Sequence, residues 1–334
     1  MIKKIIFKYK ILAFIVSKLL CVVYCRKKSE IKSRGQLDLF DYMNIAIALP
    51  KVFIEIIPDN NYFGIAYSLK KFASIKNVSS YIEHGYFVGS YVPKVEEYTF
   101  AKSIITFSKH RKKYIEEAGI KKVVVPIGPY IYYADDYLSD EEFSQKKKML
   151  GKTLLFFPIH SGTGIEFNYS VDYICDRLSP YRKDYNSFVV CLFWADIQRP
   201  EIVNLYLNKG FKIFSAGHRY DYNFLSRLKS MIKLSDLVVT NGMGTHIGYA
   251  VFLEKPVWMI RQNIQSTIKT KTGLKNQTIR NNEELQIAER EIAMIFNAFL
   301  SYSSKLTTSQ KKIVGDMFGF SDIKTKIELA NILS

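Results

Sequence analysis

Four of the five histidines in this 334-residue chain stand in short motifs with a glycine, each just after a predicted strand. An imidazole can exchange a proton near neutral pH and can donate hydrogen bonds to an anion. Because open α/β sheets bind ligands where their strands end, we expect these side chains to meet in one cleft between two halves of the chain. The four motifs are Glu83-His84-Gly85, His160-Ser161-Gly162, Gly217-His218-Arg219 and Gly244-Thr245-His246.

The histidines do not have the spacing of a metal site. Zinc ligands usually come in short motifs such as CxxC or HxxxH, and the sequence contains neither. We therefore predict no metal and no other cofactor. The fifth histidine, His110, lies in the basic run 109–113, which is typical of a solvated helix face.

Residues 234–260 are a second stretch whose residues could bind a ligand. Residues 237–240 are expected to form a buried parallel strand, and Asn241, Gly242 and Gly244 then allow a tight turn before a helix that begins at Thr245 or His246. Unpaired amides at a helix start, together with the helix dipole, favour an anion. The stretch predicts a phosphate cradle. An ordinary β-α-β turn, whose glycines serve only the backbone geometry, is the open alternative.

Strands and helices alternate through both halves of the chain. The predicted strands are 44–48, 52–56, 80–82, 103–107, 122–125, 153–157, 188–193, 211–214, 237–240 and 256–260. Strands that are joined by helices pair in parallel, which predicts an α/β fold with two doubly wound Rossmann-like domains. We place these domains at 36–148 and 149–334, with closing helices beyond residue 280.

Positive charge is concentrated at the start of the chain. The formal net charge is +17, and residues 1–35 hold ten Lys or Arg against Glu30 alone. The apolar stretch among these cations, 11–25, is interrupted by Lys18 and is shorter than the roughly 20 apolar residues of a spanning helix. We predict an amphipathic helix on an anionic membrane surface, at the inner, cytoplasmic face of the cell membrane. A signal peptide and a core helix are the alternatives.

In its layout, 40–330 resembles the GT-B class of glycosyltransferases, particularly bacterial enzymes that build capsule, O-antigen and related surface polysaccharides. The resemblance is sharpest in SDLVVTNGMGTHIGYAVFLEKPVWMI, with YIEHG and GHRYDYNFLSRL elsewhere. In that class the second domain holds a nucleotide-sugar donor, and the first domain usually supplies a carboxylate or histidine as the base. Many members also place a ribose-binding Glu inside the late helix. Glu254 lies beyond that position, so ribose recognition is unassigned.

The resemblance implies a set of functional residues and partners. Glu83 or His84 would be the base, and the transfer would need no metal. The acceptor would be a lipid-linked or membrane-associated glycan. The donor-binding residues would be His160, Ser161, Gly162, His218, Arg219, Asn241, Gly242, Gly244, Thr245 and His246.

Other functions are open at this point. A polyol-phosphate transferase that uses CDP-glycerol and a nucleotide-sugar 2-epimerase would have the same fold. A basic nucleic-acid-binding protein would be a different class of function. More than half of the net charge lies in the apolar amino-terminal segment, and the later basic runs lack clustered aromatic residues, so we expect no nucleic-acid partner.

Overall fold

The computed structural model describes residues 10–24, 33–49, 54–93, 100–161, 164–270 and 281–334. Each half of the chain contributes one parallel sheet, which confirms the predicted α/β fold class. The first sheet has the order β1-β2-β3, formed by Tyr81–Ile82, Ser103–Thr106 and Val123–Pro126. The second has the order β7-β6-β4-β8-β9, formed by Lys212–Phe214, Ser187–Cys191, Thr153–Phe157, Leu237–Thr240 and Val257–Met259.

Helices connect the strands and close the chain. They are α1 Lys10–Tyr24, α2 Tyr42–Ile45, α3 Ile65–Ala73, α4 Lys109–Glu117, α5 Asp140–Leu150, α6 Val171–Leu178, α7 Trp194–Ile197, α8 Pro200–Asn208, α9 Phe224–Leu234, α10 Thr245–Phe252, α11 Asn282–Phe299, α12 Thr308–Phe318 and α13 Lys326–Leu333. Ser139, Asn281, Thr307 and Thr325 each begin one of these helices with a capping box. Such caps typically stabilise a helix start by about 1 kcal/mol.

The second sheet has its topological switch point between β4 and β8. Strands β6 and β7 continue from one side of β4, whereas β8 and β9 continue from the other. Every residue of β4 and of β8 is buried, as expected of central parallel strands covered on both faces. The crevice at a switch point is the usual ligand site of such sheets. A small antiparallel pair, β5 (Ile165–Asn168) with β10 (Gln265–Ile268), was not predicted from the sequence.

Two strands predicted in the first half are corrected by the structure. Residues 44–48 were expected to form a strand, but Tyr42–Ile45 is a helical turn whose start is capped by the Asp41 side chain. The strand expected at 52–56 falls partly outside the described residues, and 54–56 form a loop. The Asn61 side chain holds this loop by accepting the backbone N–H groups of Ile54 at 2.7 Å and Glu55 at 2.9 Å.

The last two helices pack on both halves of the chain. Helix α12 contacts α10 of the second half and α4 of the first, and α13 contacts α3. Gly248 in α10 is needed for the first of these contacts, since a Cβ atom there would lie 2.1 Å from the Phe318 ring. At the end of α13 the Leu333 carbonyl accepts the Ser79 N–H at 3.0 Å. The carboxyl-terminal segment thereby packs against elements of both halves of the chain.

Helix α1 lies on the surface, and most of the apolar side chains described in it are exposed. Ile11 is 77% exposed, Leu19 60% and Val22 70%. Its contact side includes the buried Ser17, and Phe14 meets the Phe100 ring at 6.5 Å. None of the helices described combines the length and the apolar character that crossing a bilayer requires.

Candidate functional site

A cavity of about 500 Å³ lies where strands of both sheets end. Its walls include the segments after β1, β4, β6, β7 and β8, the first turn of α10, and residues of α3, β5 and α9. A volume of roughly 300–1,000 Å³ is typical of small-molecule sites. Six of the residues predicted for the site line this cavity: His84, His160, Gly242, Gly244, Thr245 and His246.

The turn before α10 brings its backbone close to the cavity. Gly244 stands at the N-cap position of α10 in an extended conformation, and no side chain caps the helix. A Cβ atom on Gly242 would lie 2.9 Å from Ile159, and one on Gly244 would lie 2.7 Å from the His246 ring. A side chain at either position would therefore have to displace one of these neighbours. The uncapped helix start opens into the cavity, which is the arrangement that binds anions elsewhere.

His246 is held in a defined orientation at this helix start. Its ring stacks on Phe157 with the centroids 4.7 Å apart, and its Nε2 lies 3.0 Å from the Thr240 hydroxyl. That hydroxyl donates to the Gly242 carbonyl at 2.9 Å, so the hydrogen-bond pattern assigns the imidazole proton to Nε2. Desolvation lowers the pKa of His246 to about 3. The ring is therefore neutral at physiological pH.

His160 and its neighbours form another part of the wall. The exposed His160 ring stacks on Phe193 at 4.2 Å, and Nδ1 lies 3.2 Å from the Ser161 carbonyl. The Ser161 hydroxyl does not line the cavity and accepts the Phe167 N–H at 3.1 Å. Gly162, which was predicted for the same pocket, lies outside the described residues.

His84 faces the cavity from the first half. Its ring packs against Tyr62 at 5.0 Å and Phe87 at 6.3 Å. Its Nδ1 lies 3.9 Å from an Asp59 oxygen, and that oxygen also accepts the Tyr81 hydroxyl at 3.2 Å. Burial lowers the pKa of His84, which the nearby Asp59 charge partly opposes. A neutral imidazole at this position can accept a proton from a ligand.

Glu83 is in the wrong place to act as the base. Its side chain is 1% exposed and is absent from the cavity wall. The Arg111 Nη2 donates to it at 2.8 Å, and the Thr106 hydroxyl donates at 2.7 Å. Because both carboxylate oxygens already accept hydrogen bonds within the protein, Glu83 stabilises the segment that carries His84 and does not reach a ligand. The basic run 109–113 is also not wholly solvated, since Arg111 is buried and His110 Nε2 lies 2.7 Å from Glu291.

Three more predicted residues lie behind the wall or beside the cavity. His218 is 3% exposed and meets the Trp194 ring at 4.3 Å, and burial lowers its pKa to about 4. The Arg219 guanidinium lies over the Tyr62 ring, and its Nε has no hydrogen-bond partner among the residues described. Asn241 is buried and joins β8 to β4 by accepting the Ile159 N–H at 2.7 Å.

The cavity wall is aromatic and formally uncharged. Among the described residues that form it, there is no lysine, arginine, aspartate or glutamate. Within the same part of the chain, no three metal-ligating side chains come together.

Sequence reasoning missed Asp59, which precedes the first strand, and the aromatic residues. Phe193 directly follows β6, so its position at a strand end could have identified it. The aromatic wall residues are Phe63, Tyr86, Phe157, Phe167, Phe193, Phe224 and Tyr249.

Comparison with known proteins gives likenesses of fold. No family model and no curated protein sequence match the chain. Among solved structures, it is similar to the wall teichoic acid polymerase TagF, at 12% identity over 76% of this chain and 66% of that one, with a TM-score of 0.42. It is also similar to the UDP-GlcNAc 2-epimerase from Neisseria meningitidis, at 15% identity over 80% and 70%, with a TM-score of 0.32. A third is MnaA of S. aureus, solved with UDP, at 14% over 77% and 70%, with a TM-score of 0.35. At these values the likenesses concern the fold alone.

Proposed function

We propose that the protein is a glycosyltransferase that moves a sugar from a nucleoside-diphosphate sugar to a membrane-associated glycan. The observation that supports this most is the cavity in which His84 of the first half lies with the uncapped start of α10 from the second. Transfer to a hydroxyl needs a base on one side and stabilisation of a leaving diphosphate on the other. The two sides of this cavity offer those two groups.

The donor diphosphate would lie at the first turn of α10. Negative charge grows on the diphosphate as the sugar departs, and fixed dipoles inside a desolvated site stabilise that charge effectively. The amides at 244–246 and the helix dipole supply such dipoles without a metal ion. His246 and His160 line the same part of the cavity and would contact the phosphates or the sugar. Arg219, with its unpaired Nε, would add a cation beside the cavity.

His84 would remove the proton from the acceptor hydroxyl. It lines the cavity, is neutral because burial lowers its pKa, and has Asp59 close to Nδ1. With Nδ1 turned to Asp59, Nε2 would be the basic atom. General base catalysis of this kind typically contributes about 10²- to 10⁴-fold to a rate.

The acceptor would be reached at the cytoplasmic face of an anionic membrane. Exposed apolar side chains on α1, together with the ten cations of residues 1–35, suit an interfacial helix. In this proposal the segment 36–148 binds the acceptor and 149–334 binds the donor. A soluble 2-epimerase would have no use for such a helix, which favours the transferase.

A ligand screen followed by turnover measurements tests the function. Thermal unfolding would be followed with UDP-, GDP- and CDP-sugars, CDP-glycerol and the free diphosphates, since a ligand at 100 times its Kd stabilises by about 2.7 kcal/mol. We expect one nucleotide class to stabilise the wild type. His84→Ala should keep that binding and lose transfer to a lipid-linked acceptor. Stabilisation by CDP-glycerol alone would identify the polyol-phosphate reaction, and conversion of UDP-GlcNAc without an acceptor would identify an epimerase. Absence of any nucleotide binding would contradict all three.

A further inference from the structure

The segment that carries His84 is attached directly to the helix that would hold the diphosphate. The backbone N–H of Tyr86 donates to the Thr245 hydroxyl oxygen at 3.2 Å, although these residues are 159 positions apart. Tyr86 lies two residues after His84, and Thr245 is the first residue of α10. Both also line the cavity.

The Tyr86 side chain reinforces this attachment. Its ring stacks on Phe318 with the centroids 4.3 Å apart and nearly parallel. Phe318 in turn packs against Gly248 of α10, where no side chain intervenes. The segment 84–86 is therefore held to α10 at two points, through the Thr245 hydroxyl and through Phe318. A movement of α10 relative to the first sheet would be transmitted to His84.

The Thr245 hydroxyl can serve two neighbours at once. A hydroxyl has one proton to donate and two acceptor lone pairs. Its oxygen already accepts the Tyr86 N–H, while its own proton has no acceptor among the described residues. An anion bound at the start of α10 would provide an acceptor for this proton. Donating to the anion would also strengthen the bond from Tyr86, because hydrogen bonds in a chain polarise one another.

We propose that Thr245 is a positioning residue that links occupancy of the diphosphate site to the placement of His84. This inference rests on the proposed function, because it assumes that the start of α10 binds a diphosphate. Donor binding fixes the Thr245 hydroxyl, which holds the Tyr86 amide and so fixes the base against the acceptor.

Hydrogen–deuterium exchange on the full-length chain tests the link, with inorganic pyrophosphate as the probe. In the wild type we expect saturating pyrophosphate to slow exchange in a peptide covering 84–87. In Thr245→Val, which keeps the shape and removes the hydroxyl, exchange there should be about three- to tenfold faster and should respond little to pyrophosphate. Thr245→Ser should behave like the wild type. Thr267→Val, on the exposed strand β10, is the matched control and should change nothing.

Measurements of turnover distinguish a positioning role of Thr245 from a role in binding alone. We expect Thr245→Val to lower kcat more than it weakens pyrophosphate binding, with recovery in Thr245→Ser. If the wild type binds pyrophosphate but exchange at 84–87 is unchanged, the link is refuted while the donor site stands. The wild-type comparison alone decides this, even if the valine variant does not fold. If pyrophosphate and nucleotides do not bind at all, the proposed function fails first, and the link fails with it.

Discussion

Replacing Glu83 by glutamine separates a structural role from a catalytic one. Glu83 is 1% exposed and accepts hydrogen bonds from Arg111 and Thr106. Glutamine keeps the shape of the side chain but removes its charge, and it turns an amide NH₂ towards other donors. The Arg111 guanidinium, itself 2% exposed, would then be a buried cation without a counter-charge. Removing one partner of a buried ion pair typically costs about 3–5 kcal/mol of folding free energy.

The structure favours the lower end of that range. After the substitution Arg111 would still donate to the carbonyls of Gly89 at 3.3 Å and Tyr91 at 2.9 Å. We therefore expect Glu83→Gln to lower the free energy of unfolding by about 3 kcal/mol. Thr106→Val removes one hydrogen bond to the same carboxylate and should cost about 1–2 kcal/mol. Replacing both charges, as in Glu83→Gln with Arg111→Met, should restore much of the loss, because no unpaired charge stays buried.

Urea denaturation, followed by tryptophan fluorescence, measures these free energies for five proteins: the wild type, Glu83→Gln, Thr106→Val, Arg111→Met and the Glu83→Gln/Arg111→Met double variant. Turnover would be measured in parallel, well below the denaturation midpoint. A Glu83→Gln variant that is as stable as the wild type, to within about 0.5 kcal/mol, yet inactive would refute the reasoning and restore Glu83 as the base. A coupling energy near zero between positions 83 and 111 in the double-mutant cycle would also refute it.

Further changes test the donor site, the titrating groups, the helix packing and the membrane segment. His246→Ala should weaken donor binding about tenfold or more in calorimetry, with little change in the thermal midpoint, because the ring lines an open cavity. The pKa of His218 is lowered to about 4 and that of His246 to about 3, so the unfolded chain binds more protons below about pH 6.5. The free energy of unfolding should therefore fall as the pH drops from about 6.5 towards 4, and His218→Asn should flatten this slope in urea titrations. Gly248→Ala should cost about 1–3 kcal/mol, since the added Cβ meets the Phe318 ring, and an unchanged urea midpoint would contradict that packing. Removing residues 1–28 should abolish sedimentation with anionic vesicles while nucleotide binding persists; continued sedimentation would place the membrane contact elsewhere.

A sequence pattern best predicts those elements whose residues all lie in the same environment, such as strands that are buried on both faces. Strands β4 and β8 consist of apolar runs and are buried on both faces, so their pattern alone identifies central parallel strands. The loop and helix of residues 241–252 can also be predicted, from the glycines at 242 and 244 and from the buried strand that precedes them. The segment 44–48 also contains apolar residues, but the Asp41 side chain caps a helical turn there. A local hydrogen bond of this kind outweighs a weak strand preference.

The histidines show where sequence reasoning about a site stops. His84, His160 and His246 all line one cavity, because each follows a strand end that borders it. His218 follows a strand in the same way, yet Trp194 covers it. Glu83 is adjacent to His84 in sequence, but its carboxylate accepts hydrogen bonds from the buried Arg111, whereas His84 lines the cavity. The position of Glu83 thus depends on a residue 28 positions away in the sequence, and no local pattern contains that information.

Helix α10 connects every part of the proposed site. Its first turn opens into the cavity, and His246 in that turn lies against the Thr240 hydroxyl at the end of β8. The Thr245 hydroxyl accepts the Tyr86 N–H, two residues after the proposed base His84, and Gly248 leaves room for Phe318 of α12, on which the Tyr86 ring stacks. The charged groups around the cavity, by contrast, lie behind its wall and orient the residues in front of them. In the proposed transferase, a ligand that orders the start of α10 would therefore act on the donor contacts and on the proposed base together, although these belong to different halves of the chain. The base would then be fully placed only when the group to be transferred is bound.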